Sequence, residues 1–176
     1  HIAFEIVGRS GDIRFYVSVH HHLKDLIEKQ IYGVYPAAEI REVDEYNIFN
    51  EQGKVAFSSF ILKSADYLPI KTFRDLPVDS LSAITSTLAK MQEGEGAAIQ
   101  LLVTPSSDKW KNAGRSYLSN IKKNEANPEK AKYNVDAKAL ETIENKLQKP
   151  GFNTVIRVVI ISSSLESAKM HLHNID

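Results

Sequence analysis

The chain has 176 residues, 43% of them hydrophobic, and its 22 Lys plus Arg are matched by 22 Asp plus Glu. That length fits one domain, or one and a small annex, with enough apolar residues to bury a core without staples. The absence of cysteine excludes a disulfide framework, thiolate zinc sites and a cysteine nucleophile, and the even charge balance argues against a dedicated duplex-binding domain.

Ala3 to Val7 and Ile13 to Val19 flank the polar turn Gly8-Arg9-Ser10-Gly11-Asp12. Ile13, Phe15, Val17 and Val19 alternate with polar or amphipathic neighbours, which predicts a hairpin with one buried face. Leu23, Leu26, Ile27, Ile31 and Val34 then recur at helical spacing until Pro36, predicting a helix from about His20 to Tyr35. Ala38 to Tyr46 reads as a short, charged edge strand. Lys54 to Lys63, rich in β-branched and aromatic residues, follows the Asn50-Glu51-Gln52-Gly53 turn as another strand. Ala65 to Val78 holds Pro69 and Pro77 and reads as an ordered but irregular crossover.

Asp79 is placed to cap a helix carrying Leu81, Ile84, Leu88 and Met91 on one face, closed by Glu93-Gly94-Glu95-Gly96. Ala98 to Thr104 is apolar on both faces apart from Gln100, as a central strand requires. Two helices follow. Trp110, Ala113, Tyr117, Leu118 and Ile121 line the first, and Leu140, Ile143 and Leu147 the second. Between them Asn124 to Asp136 is poor in core residues and reads as a mobile loop. Asn153 to Ile161 reads as a fully buried strand. Ser163 and Glu166 offer a capping box for a last helix with Leu165, Ala168, Leu172 and Ile175 on its apolar face.

From Ile13 to Thr104 the predicted order is strand, helix, strand, strand, helix, strand. The expected fold class is therefore α+β: a ferredoxin-like split βαβ core (Ile13–Thr104), preceded by a hairpin strand and extended by a helix–helix–strand–helix unit. In this division residues 1–104 form the core, and 105–176 an extension packed on the same sheet. The longest apolar run, Val155 to Ile161, is interrupted by Arg157 and is far too short to span a bilayer. The chain begins at His1 and ends at Asp176 within a helical pattern, which reads as a piece cut from a longer polypeptide.

No catalytic, cofactor-binding or metal-binding residue is expected. His20, His21 and His22 are consecutive, and residues on a helix point about 100° apart, so they are not expected to share one ion. Gly8 to Gly11 joins two strands, and Gly94-Glu95-Gly96 puts carboxylates where a phosphate needs donors, so neither is a phosphate cradle. The serines lack a nucleophile elbow, and Glu42, Asp44 and Glu45 are explained as edge-strand charges. Nucleic-acid binding through Tyr16 on the sheet and a basic cluster of Lys122, Lys123, Lys130 and Lys132 is the alternative function.

Several ordered runs carry a resemblance. Phe15-Tyr16 leads to Leu23-x-x-Leu26-Ile27-Glu28-x-Gln30-Ile31-Tyr32-x-x-Tyr35-Pro36 and then Glu39-Ile40-x-Glu42-Val43-x-x-Tyr46. Tyr67-Leu68-Pro69-Ile70-Lys71-Thr72-Phe73, Val78-Asp79-Ser80-Leu81, Glu93-Gly94-Glu95 with Ile99 to Val103, and Trp110-Lys111-x-x-Gly114 follow in order. Together they resemble the N-terminal, non-ATPase region of bacterial type IV secretion or conjugation ATPases of the FtsK–HerA superclass. The resemblance implies a non-catalytic assembly domain that docks a downstream ATP-binding motor on the membrane complex or on neighbouring subunits. It also implies a cytoplasmic position at the inner face of the cell membrane, with any membrane contact made by segments outside this chain. Partners would be other secretion-complex subunits, or further copies through the full-length protein. None of the family's nucleotide-binding residues has a counterpart here. The contact candidates are Tyr32 and Tyr35 on the first helix, and Tyr67 and Phe73 in the crossover, with core packing as the competing role for the last two.

Overall fold

In a computed structural model of the chain, residues 1–77, 79–125 and 136–175 are described. β1 (Ile2–Arg9) and β2 (Asp12–Ser18) form an antiparallel hairpin whose register pairs Arg9 with Asp12. Ser10 and Gly11 make the two-residue turn, and Gly11 has φ 71°, a conformation that glycine adopts at no steric cost. On its other side β1 pairs antiparallel with β4 (Gly96–Pro105), placing Glu5 opposite Gln100. β3 (Lys54–Phe60) pairs antiparallel with β5 (Phe152–Ser162), placing Ala56 opposite Ile160. The sheet order is β2-β1-β4-β5-β3. The central strands β4 and β5 also run antiparallel, because Gly96 meets Ile161 while Gln100 meets Arg157.

Five α-helices accompany the sheet among the described residues: α1 (Lys24–Val34), α2 (Ser80–Leu88), α3 (Lys109–Glu125), α4 (Ala137–Leu147) and α5 (Leu165–His173). The chain divides into two compact units, one of His1–Phe60, Val78–Thr104 and Thr154–Asp176, the other of Ile61–Pro77 and Pro105–Asn153.

In the first unit, strand alternation supplies two buried faces. Ala56, Ala97, Val158 and Ile160 meet Leu88 of α2, Met91 just beyond it and Ala168 of α5. Val7, Ala98 and Ile161 on the opposite side are covered by Ile48, with Tyr16 and Tyr46 packed alongside. Asp79 caps α2 as its side chain predicts, accepting the Leu81 amide at 3.0 Å. The cap of α5 is Ser164, which accepts the Ser167 amide at 3.1 Å, so the helix starts one residue later than a Ser163–Glu166 box would set.

In the second unit, Leu118 of α3 and Ile143 and Leu147 of α4 form a core that Tyr67, Leu68, Trp110 and Leu140 complete. A Cβ on Gly114 would lie 2.6 Å from Leu147 Cδ2 and 2.8 Å from Tyr67 Cβ, which accounts for glycine at the end of the Trp110-Lys111-x-x-Gly114 run. Lys146 donates to the carbonyls of Asp66 at 2.5 Å and Leu68 at 2.7 Å, tying the irregular crossover to α4. Burial holds its ammonium pKa below the usual lysine range, against the pull of nearby Asp66.

The α+β class stands, but the order is not the ferredoxin-like one. Ala38 to Tyr46 contains no strand. Among its charges Arg41 pairs locally with Glu39 and Glu42 pairs with Lys24 of α1, and Tyr46 turns down onto the sheet. β2, expected inside a split βαβ core, is an edge strand with β1 as its neighbour, and β3 occupies the far edge. Only the C-terminal half of β5 is buried. The division at residue 104 is also redrawn, since residues 61–77 join α3 and α4 while α5 returns to the first unit. The loop predicted over Asn124 to Asp136 lies mostly outside the described residues.

β1 and α2 approach closely in the first unit, where a Cβ on Gly8 would stand 2.7 Å from Cβ of the fully buried Leu88. No rotamer change moves a Cβ, so the helix itself must shift. Gly8→Ala is expected to cost about 1–3 kcal/mol, read as a lowered denaturant midpoint. Wild-type stability in that variant would show that the helix is free to give way.

Candidate interaction surface

α1 carries the apolar spacing of a helix that should bury one side, yet none of its residues is buried. It follows a 3₁₀ turn, His21–Leu23, and Lys24 at its start pairs with Glu42 at 2.6 Å. Tyr35 closes the helix through a 2.7 Å bond from its amide to the Ile31 carbonyl, and its side chain is 68% exposed. Tyr32, Leu26 and Val34 are exposed with it.

The crossover residues behave differently from each other. Tyr67 packs on the core of the second unit, its ring 5.1 Å from that of Tyr117. Phe73 is 78% exposed and opens a 3₁₀ turn held by a capping box, in which Asp75 accepts the Thr72 amide at 2.9 Å and its hydroxyl at 2.8 Å. Those two bonds, the amide foremost, hold the Asp75 carboxyl below its ordinary pKa. Of the four contact candidates, Tyr32 and Tyr35 belong to the first unit and are exposed, while in the second unit Phe73 is exposed and Tyr67 is half-buried. The hairpin adds exposed apolar residues that were predicted to be buried. Ile13 reaches the core, but Phe15, at 68% exposure, and Val17 do not, and Val17 pairs with exposed Phe4. An edge strand has a neighbour on one side alone, so alternation marks the face without guaranteeing its cover.

Two polar clusters lie within the first unit. Glu5, 7% exposed, accepts from the Tyr46 hydroxyl and from Gln100 Nε2, the latter at 2.5 Å, while Arg157 Nε donates to Gln100 Oε1 at 2.5 Å. Its sequence signal is a carboxylate on the inward alternation between Ala3 and Val7. Glu95 is the hub of the second cluster, accepting from Ser162 Oγ at 2.6 Å, Ser167 Oγ at 3.1 Å and the Gln92 amide at 3.0 Å. His171 Nε2 stands 3.4 Å from Oε2, the oxygen that accepts the Gln92 amide, while the two serines bond Oε1. A hydrolytic triad sets the imidazole between carboxylate and hydroxyl. Here the carboxylate sits in the middle, and the fully buried Ser162 hydroxyl donates straight to it, so the arrangement clasps α5 to the start of β4 instead of activating a nucleophile. The sequence offered only a turn at Glu95.

The basic cluster of the nucleic-acid reading is partly visible. Arg115, Lys122 and Lys123 line an open groove of about 480 Å³ with Leu118, Ser119 and Glu144, and Lys122 pairs with Glu144 at 2.8 Å. Lys130 and Lys132 lie outside the described residues. Tyr16, the proposed base-stacking residue, is already stacked on Tyr46 with centroids 4.7 Å apart.

The family model of a domain of unknown function, DUF8128, matches residues 1–175 of the chain. No curated protein and no solved structure matches it.

The Glu95 clasp has a pH signature. Burial alone would raise the carboxyl pKa, but the Ser162 hydroxyl, the Gln92 amide, the Ser167 hydroxyl and His171 outweigh it and hold the pKa below the usual range. A depressed folded pKa contributes stability above the unfolded value, about 4.3, and that contribution fades as pH falls through the folded value. Glu95→Gln is expected to cost about 1.5–3 kcal/mol at neutral pH. Its deficit against the wild type should shrink below about pH 4. Equal deficits at pH 7 and pH 3 in denaturant titrations would rule out a contribution from the charge.

Proposed function

The chain belongs to the DUF8128 family, and on its sequence resemblance and exposed surface we propose that it is a non-catalytic assembly and interaction domain of a type IV secretion-like ATPase. It docks a downstream motor to the membrane complex or to neighbouring subunits. The observation that carries the interaction reading is α1: a helix with a continuous apolar stripe and no buried residue. Such a stripe is stable in water only when something covers it, and the cover comes from another subunit or from the rest of the polypeptide. Tyr32 and Tyr35 are suited to that contact, since a Tyr side chain buries a large area for little lost conformational freedom. Phe73, held outward by its capping box, is a second contact on the other unit. The secretion assignment is supported by the ordered sequence resemblance from Phe15 to Gly114.

No helix among the described residues is long and apolar enough to cross a membrane. In the proposal the domain is held at the inner face of the membrane by its partners. The nucleic-acid alternative is less well supported, because Tyr46 covers the aromatic residue it would use.

Leu26→Asp and Tyr35→Asp in the full-length protein test the interface. Neither side chain is buried, so thermal stability of the isolated domain should stay within about 0.5 kcal/mol of wild type. Subunit association, followed by sedimentation, should weaken by about 2 kcal/mol, roughly 30-fold. Unchanged association in both variants sinks the interface. An open reading frame with no ATP-binding motor after this domain sinks the secretion assignment.

A further inference from the structure

We propose that His20, His21 and His22 form a binding site for a borderline divalent transition metal, of which Zn²⁺ is the representative probe. The expectation that they point apart assumed that all three lie on a helix. The backbone does otherwise: His20 is extended, with φ −65° and ψ 141°, and the 3₁₀ turn starts only at His21. That change of direction gathers the rings. Centroids are 4.4 Å apart for His20 and His21, 4.7 Å for His20 and His22, and 3.6 Å for His21 and His22. One nitrogen from each ring lies within 4.8 Å of those of the other two.

A tetrahedral ion with Zn–N bonds of about 2.0–2.1 Å sets its ligand nitrogens about 3.4 Å apart. The side chains are exposed, so small rotamer adjustments close the difference. Among the described residues no hydrogen bond engages any of the three rings, which leaves their nitrogens available. Three imidazoles without a carboxylate favour Zn²⁺, Ni²⁺ or Cu²⁺ over Mg²⁺ or Ca²⁺. The fourth position falls to water or to a side chain of a partner.

The site occupies the corner between β2 and α1. A bound ion fixes the rings to one another, and with them the direction in which α1 leaves the sheet. Because no outer partner orients the imidazoles, the affinity is lower than that of a structural zinc site.

The test uses the full chain without an affinity tag, titrated with Zn²⁺ against a chromogenic chelator. One equivalent is expected to bind, and amide exchange over residues 24–34 is expected to slow. Replacing all three with Gln should weaken binding by about 100-fold or more, because losing ligands exceeds the typical loss of about 10–100-fold for an outer-shell partner. The single variant His21→Gln should weaken it in the same direction, while His171→Gln with His173→Gln should leave it unchanged. Absence of a bound equivalent, or the same titration in the triple variant, overturns the proposal.

Discussion

A carboxylate buried in the middle of a sheet has to be fully satisfied, and Glu5 imposes that condition on the first unit. It faces the side of the sheet on which Tyr16 and Gln100 are its register neighbours. Gln100 uses its amide nitrogen on Glu5 and its oxygen on Arg157, so three adjacent strands share one polar row. The remaining donor is the Tyr46 hydroxyl, whose pKa is raised, first by burial and then by the bond to Glu5, so that it keeps its proton. Satisfying Glu5 therefore requires the 36–53 segment to lie across the sheet face. Tyr46 arrives there with its ring on Tyr16, Ile48 closes over Val7, Ala98 and Ile161, and Arg9 secures the Asn47 carbonyl at 2.5 Å.

The same condition explains the topology. A segment that must cover a face cannot also serve as a strand within it, which is why the run from Ala38 to Tyr46, with its β-branched Ile40 and Val43, pairs with nothing. Its absence from the sheet leaves β2 at the edge and lets β4 and β5 meet in the centre. The opposite face is closed by α2, drawn close at Gly8, and by α5, clasped through Glu95.

What local signals could state, the sequence shows well. The hairpin turn, the Asp79 cap, the central apolar strand β4 and the helices α3 and α4 each rest on residues within a few positions of one another. Pairings at long range were not legible, because Glu5 and Gln100 are 95 residues apart and nothing local in either names the other. Adjacent candidates were ambiguous for a different reason. Ser163 and Ser164 are chemically alike, and the extended backbone of Ser164, φ −132° and ψ 153°, selects it as the cap. Of the contact candidates Tyr32, Tyr35 and Phe73 are exposed and Tyr67 is half-buried, and Phe15 and Val17 looked like core because alternation cannot say which strand is an edge. The closeness of the three histidine rings was not legible because helix geometry was extended one residue too far, across the corner at His20.

That corner bears on how α1 works. An isolated helix shorter than about 12–15 residues is marginal in water, and α1, at 11 residues, is held by one exposed ion pair, a short 3₁₀ turn and the partial burial of Ile27 and Ile31. Elements with few buried contacts open at the low end of a protein's local stabilities, and binding segments are drawn from that end. A partner that covers Leu26, Val34 and Tyr35 must therefore also order the helix, and the ordering cost is subtracted from the affinity. Any constraint applied beforehand at residues 20–22 removes part of that cost and so strengthens binding without touching the partner. The placement of three imidazoles at the root of an uncovered helix thus links the two proposals through one free-energy term, although each is measured independently of the other.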